Sequence, residues 1–458
     1  MTRILSRPSP VLARPSRPLL LALGLPALLV VAQQQLLVRQ PPRLEGLGNA
    51  PASSGPAALQ ARFSRPIQAG SLQESGRLSP PLTHSWLGSG SSLLLSLAEG
   101  QRIETPLELQ LAGRDERGLA LTPSLWHWDP RPRVLAVVAA AGGEQLQLRE
   151  HNGSWRPISP VWPEIPHVLP LGDGSGVAAA SREPDGQLRL WRIPLHQHNL
   201  RPAGDPAQTV KAEAPRPLRA GPVLFAHLSS NRQGDLLVQS GQLEPGSSQA
   251  RLQRAGGWRW RRLPWSASGP MLLLPEGGAV VVPDTEGLHL ETLPPQAPRR
   301  QTLPGSRDLS SFCPQAGRAL LQRHWPDFRR SLELVEPGQP PKQLWLGTQA
   351  LVASACSRSG DRVWALLMEG TEEPRLTLLA LNRQGVELER RLLTGWELEP
   401  GSGLHWDASG EQLLTTLRPR ARGDAAPPPA RAVLIDASSL ELRPLPGPVK
   451  RAQWLVAG

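Results

Sequence analysis

A short internal repeat is the feature of this sequence that most restricts its fold. From residue 82 onward, a short apolar segment, a polar turn ending in glycine and a second apolar segment recur about every 46 residues. Each interval also holds a second turn of the same kind. Four short strands in about 40–50 residues are typical of one β-propeller blade. The repeats are anchored near residues 86, 128, 171, 229, 275, 313, 356, 406 and 454.

The composition agrees with short strands joined by tight turns. The chain has 51 Pro and 43 Gly among 458 residues. Proline breaks helix interiors and glycine weakens them, so this composition excludes a helical bundle, a coiled coil and a membrane protein with many helices. Leu, Val and Trp recur in short runs throughout, which argues against a disordered chain.

The repeat unit resembles that of Tol-B-type β-propellers. The segment 405–414 (His-Trp-Asp-Ala-Ser-Gly-Glu-Gln-Leu-Leu) follows that pattern of Trp, polar residues, Gly, a polar residue and apolar residues. In WD-repeat propellers, the second comparison, the Trp-Asp pair comes late in the repeat. Here Trp128-Asp129 and Trp406-Asp407 come at its start, which fits Tol-B-type repeats better. The resemblance covers residues 82–458 and implies an all-β propeller of seven or eight four-stranded blades. It implies no particular activity.

The repeat also predicts the domain boundaries. We expect a β-propeller over residues 82–458, preceded by a linker rich in Pro, Ser and Gly over residues 39–81. A propeller ring needs a tie between its last and first blades. We expect the segment 451–458 to pair into the blade that begins near Leu82, the alternative being an ordinary outer strand.

Residues 1–38 have the layout of an export signal or a membrane anchor. Four Arg lie within residues 1–18, and an apolar stretch follows from Leu19 to Ala32. We expect an anchor that leaves the propeller outside the cytoplasm, in a compartment like the bacterial periplasm. The alternative is export as a soluble protein after cleavage near Ala32. The residues assigned to the anchor are Leu19, Leu20, Leu21, Leu28, Leu29, Val30 and Val31.

The charge of the chain is concentrated at its N-terminus. The formal net charge is +11, but residues 1–43 hold six Arg and no acidic residue. The remainder is therefore only mildly basic, whereas a nucleic-acid-binding protein needs a basic face or stripe. We expect no nucleic-acid partner and a monomeric folded body.

Histidines recur beside the turns of the repeat. His127, His227 and His405 occupy equivalent positions, so in a propeller they could face the central channel and bind a metal as a partial ring. The alternative is that each hydrogen-bonds within its own blade. We favour the structural role and leave the metal open.

The two cysteines, Cys313 and Cys356, fall at matching positions of adjacent repeats. We expect two buried thiols. A disulfide would need Cα atoms within about 7 Å and an oxidising compartment.

The segment 258–265 interleaves Trp with Arg. We interpret it as a strand, the alternatives being contact with an anionic membrane or partner, or with nucleic acid.

The sequence lacks known catalytic motifs, including the Gly-x-Ser-x-Gly elbow, His-Glu-x-x-His, a phosphate loop and a dinucleotide fingerprint. We therefore expect a non-catalytic scaffold that binds another protein and needs no cofactor. The alternative is a periplasmic propeller enzyme or small-ligand binder that uses the channel mouth, with a sugar or a lactone as ligand.

Overall fold

The fold is described from a computed structural model of the chain. It covers residues 33, 35, 39–52, 54–206, 208–219, 221–242, 248–315, 317–370, 374–421 and 426–458.

Two antiparallel sheets near the N-terminus share one apolar core. Their elements are β1 (Leu44–Ala50), β2 (Ala58–Phe63), α1 (Ala69–Ser75), β3 (Arg77–Ser79), β4 (His84–Leu87), β5 (Ser92–Leu97), β6 (Leu107–Leu111) and β7 (Ser124–Trp128). The first sheet has the order β1-β2-β5-β4, and the second contains β7-β6-β3. Buried side chains alternate along β2 and β6, as expected for strands with one face on a core. Phe63, Leu72 and Trp128 lie at the centre of this core.

Seven further sheets form the propeller, and their strands follow the chain. Blade one contains β8 (Arg133–Ala140), β9 (Gly143–Arg149) and β10 (Trp155–Pro157). Blade two contains β11 (Glu164–Pro170), β12 (Gly176–Arg182), β13 (Leu188–His196), β15 (Lys211–Ala212) and β16 (Arg216–Pro217), with β14 (Leu200–Pro202) inserted. Blade three contains β17 (Phe225–Ser230), β18 (Leu236–Gly241), β19 (Gln249–Gln253) and β20 (Trp260–Arg262).

The remaining blades repeat this arrangement. Blade four contains β21 (Leu272–Leu273), β22 (Ala279–Pro283), β23 (Gly287–Thr292) and β24 (Arg300–Pro304). Blade five contains β25 (Arg307–Phe312), β26 (Ala319–His324), β27 (Arg330–Val335) and β28 (Lys342–Gly347). Blade six contains β29 (Ala350–Cys356), β30 (Arg362–Glu369), β31 (Arg375–Asn382) and β32 (Glu387–Leu392). Blade seven contains β33 (Trp396–Leu398), β34 (His405–Asp407), β35 (Gln412–Pro419), β36 (Arg431–Asp436) and β37 (Leu442–Pro444). The last strand is β38 (Arg451–Leu455).

The last strand closes the ring. β38 pairs antiparallel with β8, so the chain end supplies the innermost strand of blade one, with Trp454 opposite Val134. The predicted closure is correct in kind, but its partner is the blade that begins at residue 133 and not the segment near Leu82. The inserted strand β14 pairs with β7, which ties blade two to the N-terminal sheets.

The all-β propeller is confirmed, and the described residues form seven blades. The repeat anchors from 171 to 454 mark its seven innermost strands. The anchors at 86 and 128 belong to the N-terminal sheets instead, because the same strand-turn-strand pattern builds those hairpins. The interpretation of residues 39–81 as a linker is also wrong. This range contains β1, β2, α1 and β3, since small residues such as Ala58 and Ala61 pack inside the N-terminal core.

Buried apolar side chains hold neighbouring blades together. Separate clusters join blades one to two, two to three, three to four, five to six, six to seven and seven to one. Each fully buried Leu, Val or Ile contributes about 1.5–3 kcal/mol. The clusters formed by the described residues include none between blades four and five.

Candidate functional site

Polar turns bring residues from several blades to one end of the central channel. The innermost strand of a blade turns into the next strand at this end, and a side chain fixes the turn. Asp173 accepts a hydrogen bond from the Ser175 amide at 3.0 Å, and Asn231 accepts one from the Asp235 amide at 2.9 Å. Such short side chains favour tight turns because they satisfy amides two to four residues ahead. Residues beside these turns therefore meet at one channel mouth.

The N-terminal sheets cover this mouth and enclose a cavity of about 570 Å³. Turns from several blades form one wall, and residues 49–52 and 56–58 form the other. Four aromatic side chains also line the cavity: Trp128, Phe312, Trp406 and Trp454. We call this space the mouth cavity.

Arg358 binds the main chain of the N-terminal segment in the mouth cavity. Its guanidinium donates to the carbonyl oxygens of Ala52 at 2.7 Å and Gly55 at 3.1 Å. Burial, together with the positive charge of Arg232, lowers the pKa of Arg358 to about 10. Arg358 therefore stays protonated near neutral pH, and both contacts are charge-assisted hydrogen bonds.

Asn49 ties the same segment to the sheets around it. Its amide nitrogen donates to the carbonyl oxygen of Gly458 at 2.9 Å, and its side-chain oxygen accepts from the Trp128 indole at 3.0 Å.

Two donors at the mouth cavity remain unused. Nη2 of Arg232 and Nε1 of Trp406 are buried and have no hydrogen-bond partner among the residues that the structure describes. Burial lowers the pKa of Arg232, and the charge of Glu276 opposes that effect. A buried donor without an acceptor costs about 1–3 kcal/mol, so a ligand that brings an acceptor gains that energy.

Asp407 is the acidic residue most affected by burial at this mouth. Burial raises the pKa of Asp407, while hydrogen bonds from Ser409 and Gly410 oppose the rise. Because the carboxylate accepts these bonds within its own turn, its geometry is that of a structural residue.

A pair of histidines lies midway along two innermost strands, β11 and β17. The rings of His167 and His227, on neighbouring innermost strands, are 6.4 Å apart in an edge-to-face arrangement. Burial, and next the charge of Arg451, lowers the pKa of His167, and burial also lowers the pKa of His227. Both rings are therefore neutral near pH 7.

The structure does not bring the three candidate metal-binding histidines together. His127 does not face the channel, because it lies on β7 in an N-terminal sheet, 3.5 Å from Glu108. His227 and His405 lie on the innermost strands of blades three and seven. Within the described ranges, no group of three or more His, Cys, Asp or Glu side chains is placed to hold a metal ion.

Cys313 and Cys356 form a disulfide between blades five and six, with Cα atoms 5.3 Å apart. The expectation of two free thiols is therefore wrong. Matching repeat positions place the two residues side by side at the inner edges of adjacent blades.

The Trp-Arg segment 258–265 is strand only at its centre, in β20. Trp260 and Trp265 pack against apolar clusters of blade three, whereas Trp258 is 78% exposed beneath the guanidinium of Arg259.

The residues assigned to a membrane anchor lie outside the described part of the chain. Across the ranges that the structure covers, we find no helix with the length and apolar character needed to cross a membrane.

Arg232 and Arg358 were not predicted from the sequence. The signal that could have found them is their shared place in the repeat, since each directly follows a polar turn residue, Asn231 or Ser357. Nothing in the local sequence shows that Arg358 meets Ala52, because 306 residues separate them.

Comparisons with known proteins agree with the fold. No protein-family model and no curated protein sequence matches the chain. Among solved structures, TolB from Acinetobacter baumannii is 11% identical, with a TM-score of 0.39 over 78% of this chain and 81% of that one. Apo AztD from Citrobacter koseri is 11% identical, with a TM-score of 0.45 over 71% of this chain and 98% of that one. At these low identities and TM-scores, no property of TolB or AztD extends to this chain. The predicted all-β propeller is confirmed by the chain's own sheet topology.

Proposed function

We propose that this protein is a non-catalytic scaffold that holds an extended segment of another protein in the mouth cavity. The observation that carries the proposal is the contact of Arg358 with the carbonyl oxygens of Ala52 and Gly55. Here the propeller already binds a stretch of its own chain, between Pro51 and Pro56, through main-chain carbonyl oxygens. A partner segment would offer the same carbonyl groups.

The mouth cavity keeps both room and unused donors for such a segment. Its volume is about 570 Å³ with the N-terminal segment in place. Arg232 and Trp406 supply buried donors for carbonyl or carboxylate oxygens, and the aromatic walls suit proline and aliphatic side chains. We therefore expect the bound segment to be extended, apolar and provided with at least one acidic group for Arg232.

We propose that the protein works outside the cytoplasm, anchored by its N-terminal segment or released after cleavage near Ala32. Two features support this location. The N-terminus has the layout of an export signal, and disulfides such as Cys313–Cys356 persist in oxidising compartments.

A second candidate is a small-ligand binder at the same mouth. Its support is the size of the mouth cavity, which falls within the range of small-molecule sites, and its tryptophan walls, on which a sugar ring could stack. The same two donors would serve such a ligand, so the class of ligand has to be decided by binding.

A peptide selection tests the proposal. Peptides displayed on phage are selected on the full-length protein in detergent, and their affinities are measured for wild type, R232Q and R329Q. Arg329 is a matched control, because it is exposed and paired with Asp327 on a blade-five hairpin. We expect acidic, extended peptides that bind R232Q at least about tenfold more weakly and R329Q unchanged. If no peptide is selected and a sugar or a lactone binds instead, the peptide-binding proposal is contradicted and the small-ligand candidate is favoured.

A further inference from the structure

Among the described residues, the interface between blades four and five holds a cavity and no buried apolar cluster. This space has a volume of about 660 Å³ and lies between β22–β24 on one side and β25–β27 on the other. The other six blade interfaces are filled by buried apolar clusters. We call this space the interblade cleft. It shares two wall residues, Pro275 and Phe312, with the mouth cavity.

The walls of the interblade cleft are largely aliphatic. The side chains that face each other across it belong to two blades and include Val281, Leu290, Leu303, Leu309, Leu321 and Val335. Most of these side chains are only half-buried. At the other blade interfaces, the facing side chains are buried in apolar clusters. An aliphatic ligand would remove this surface from water at about 25 cal/mol per Å².

The interblade cleft has a buried carboxylate oxygen without a hydrogen-bond donor. Oε1 of Glu276 is buried and accepts no hydrogen bond from any residue in the described ranges. Nε2 of the wall residue His289 also makes no hydrogen bond within those ranges, but it lies against the Asp284 carboxylate. Nδ1 of His289 is 2.9 Å from the Thr302 hydroxyl, and Glu336 accepts from Arg318 at 2.9 Å. A buried carboxylate oxygen without a donor favours a ligand that supplies one.

We infer that the interblade cleft binds an aliphatic chain whose polar end donates a hydrogen bond to Glu276. The ligand class is a long-chain alcohol or ammonium compound, as a free molecule or as part of a lipid. The carboxylate of Glu276 repels an ionised fatty acid. The cleft should therefore prefer a neutral or positively charged end group to a carboxylate. This inference goes beyond the proposed function, since it concerns a different cavity and a different ligand.

Calorimetric titration of the purified full-length protein with three probes tests the inference. The probes are decanol, kept below its solubility limit, and decylammonium and decanoate, each kept below its micelle concentration. We expect decanol and decylammonium to bind at least about tenfold more tightly than decanoate. Absence of decanol binding, or equal binding of decanoate, would overturn the inference.

Two variants and one control locate the binding. Val335→Trp places an indole in the interblade cleft and should abolish binding. Val386→Trp, at a 57% exposed position on a blade-six hairpin, should leave it unchanged. Glu276→Leu removes the acceptor and should erase the preference over decanoate. If Val335→Trp does not fold, the test rests on Glu276→Leu. A variant that still binds decanol and decylammonium more tightly than decanoate would exclude Glu276 as the acceptor.

Discussion

The guanidinium of Arg358, at the inner end of blade six, donates a hydrogen bond to the carbonyl oxygen of Ala52, 306 residues earlier in the chain, at 2.7 Å. This contact joins the propeller to the N-terminal sheets over the channel mouth. It also shows that a side chain at the mouth binds main-chain carbonyl groups.

Replacing Arg358 should loosen the N-terminal segment. R358Q removes two charge-assisted hydrogen bonds. We expect the free energy that protects backbone amides of the 44–63 region from hydrogen exchange to fall by about 2 kcal/mol. Amide hydrogen exchange read by mass spectrometry measures this change. R329Q breaks an exposed ion pair with Asp327 and should cost less than about 0.5 kcal/mol. Equal effects of the two variants would contradict a special role for Arg358.

Removing the disulfide should destabilise blades five and six. The bond closes a loop with a sequence separation of 43 residues. Loss of such a link costs about 2–4 kcal/mol, because the unfolded chain becomes less restricted. We expect a reductant to lower the unfolding midpoint of wild type in urea and to leave C313A/C356A unchanged. Complete alkylation of both thiols in the native, untreated protein would contradict the disulfide.

The ring should depend on the packing of its last strand. Leu455 is fully buried where β38 meets blades one and two, so L455A should cost about 2–5 kcal/mol. The adjacent Val456 is 39% exposed, and V456A should cost less than about 1 kcal/mol. Urea unfolding measures both. A small effect of L455A would mean that β38 does not hold the ring closed.

His405 should make the stability of the fold sensitive to acid. Burial lowers the pKa of His405 to about 4. Between about pH 6.5 and pH 4 the unfolded chain therefore binds a proton that the native state excludes, and stability falls as pH decreases. The loss should reach about 3 kcal/mol, and H405Q should remove it.

The control for His405 is H196Q. His196 is exposed beside Glu213, so its replacement should not remove the loss of stability between about pH 6.5 and pH 4. An H405Q profile parallel to that of wild type would show that His405 does not carry the effect.

The repeat predicts the blades well because each blade is built from local hairpins. The apolar segment, the polar turn and the glycine of a unit such as 405–414 lie within ten residues, so the sequence shows them directly. The same local pattern occurs at Trp86 and Trp128 without forming a blade. Which sheet a hairpin joins depends on long-range packing. Because the sequence does not show this packing, it left seven and eight blades equally possible.

The candidate site depends on contacts that a single sequence does not show. Arg232 and Arg358 line one cavity with residues 49–52 and 56–58, which lie far from them in the sequence. His127 and His405 match in local sequence, but they lie on different sheets. A shared local pattern therefore does not place two residues at the same site. Equivalent positions predicted neighbours correctly where both residues belong to propeller blades, as for Cys313 and Cys356.

Site-specific photo-crosslinking in the native host tests the central claim that the mouth cavity holds a partner protein. A benzophenone amino acid replaces Phe312 in the mouth cavity or, as a control, Phe328, which is 90% exposed on a hairpin. We predict a discrete protein adduct at position 312 that R232Q weakens, and no adduct at position 328. No adduct at 312, or the same adduct at both positions, would contradict the claim.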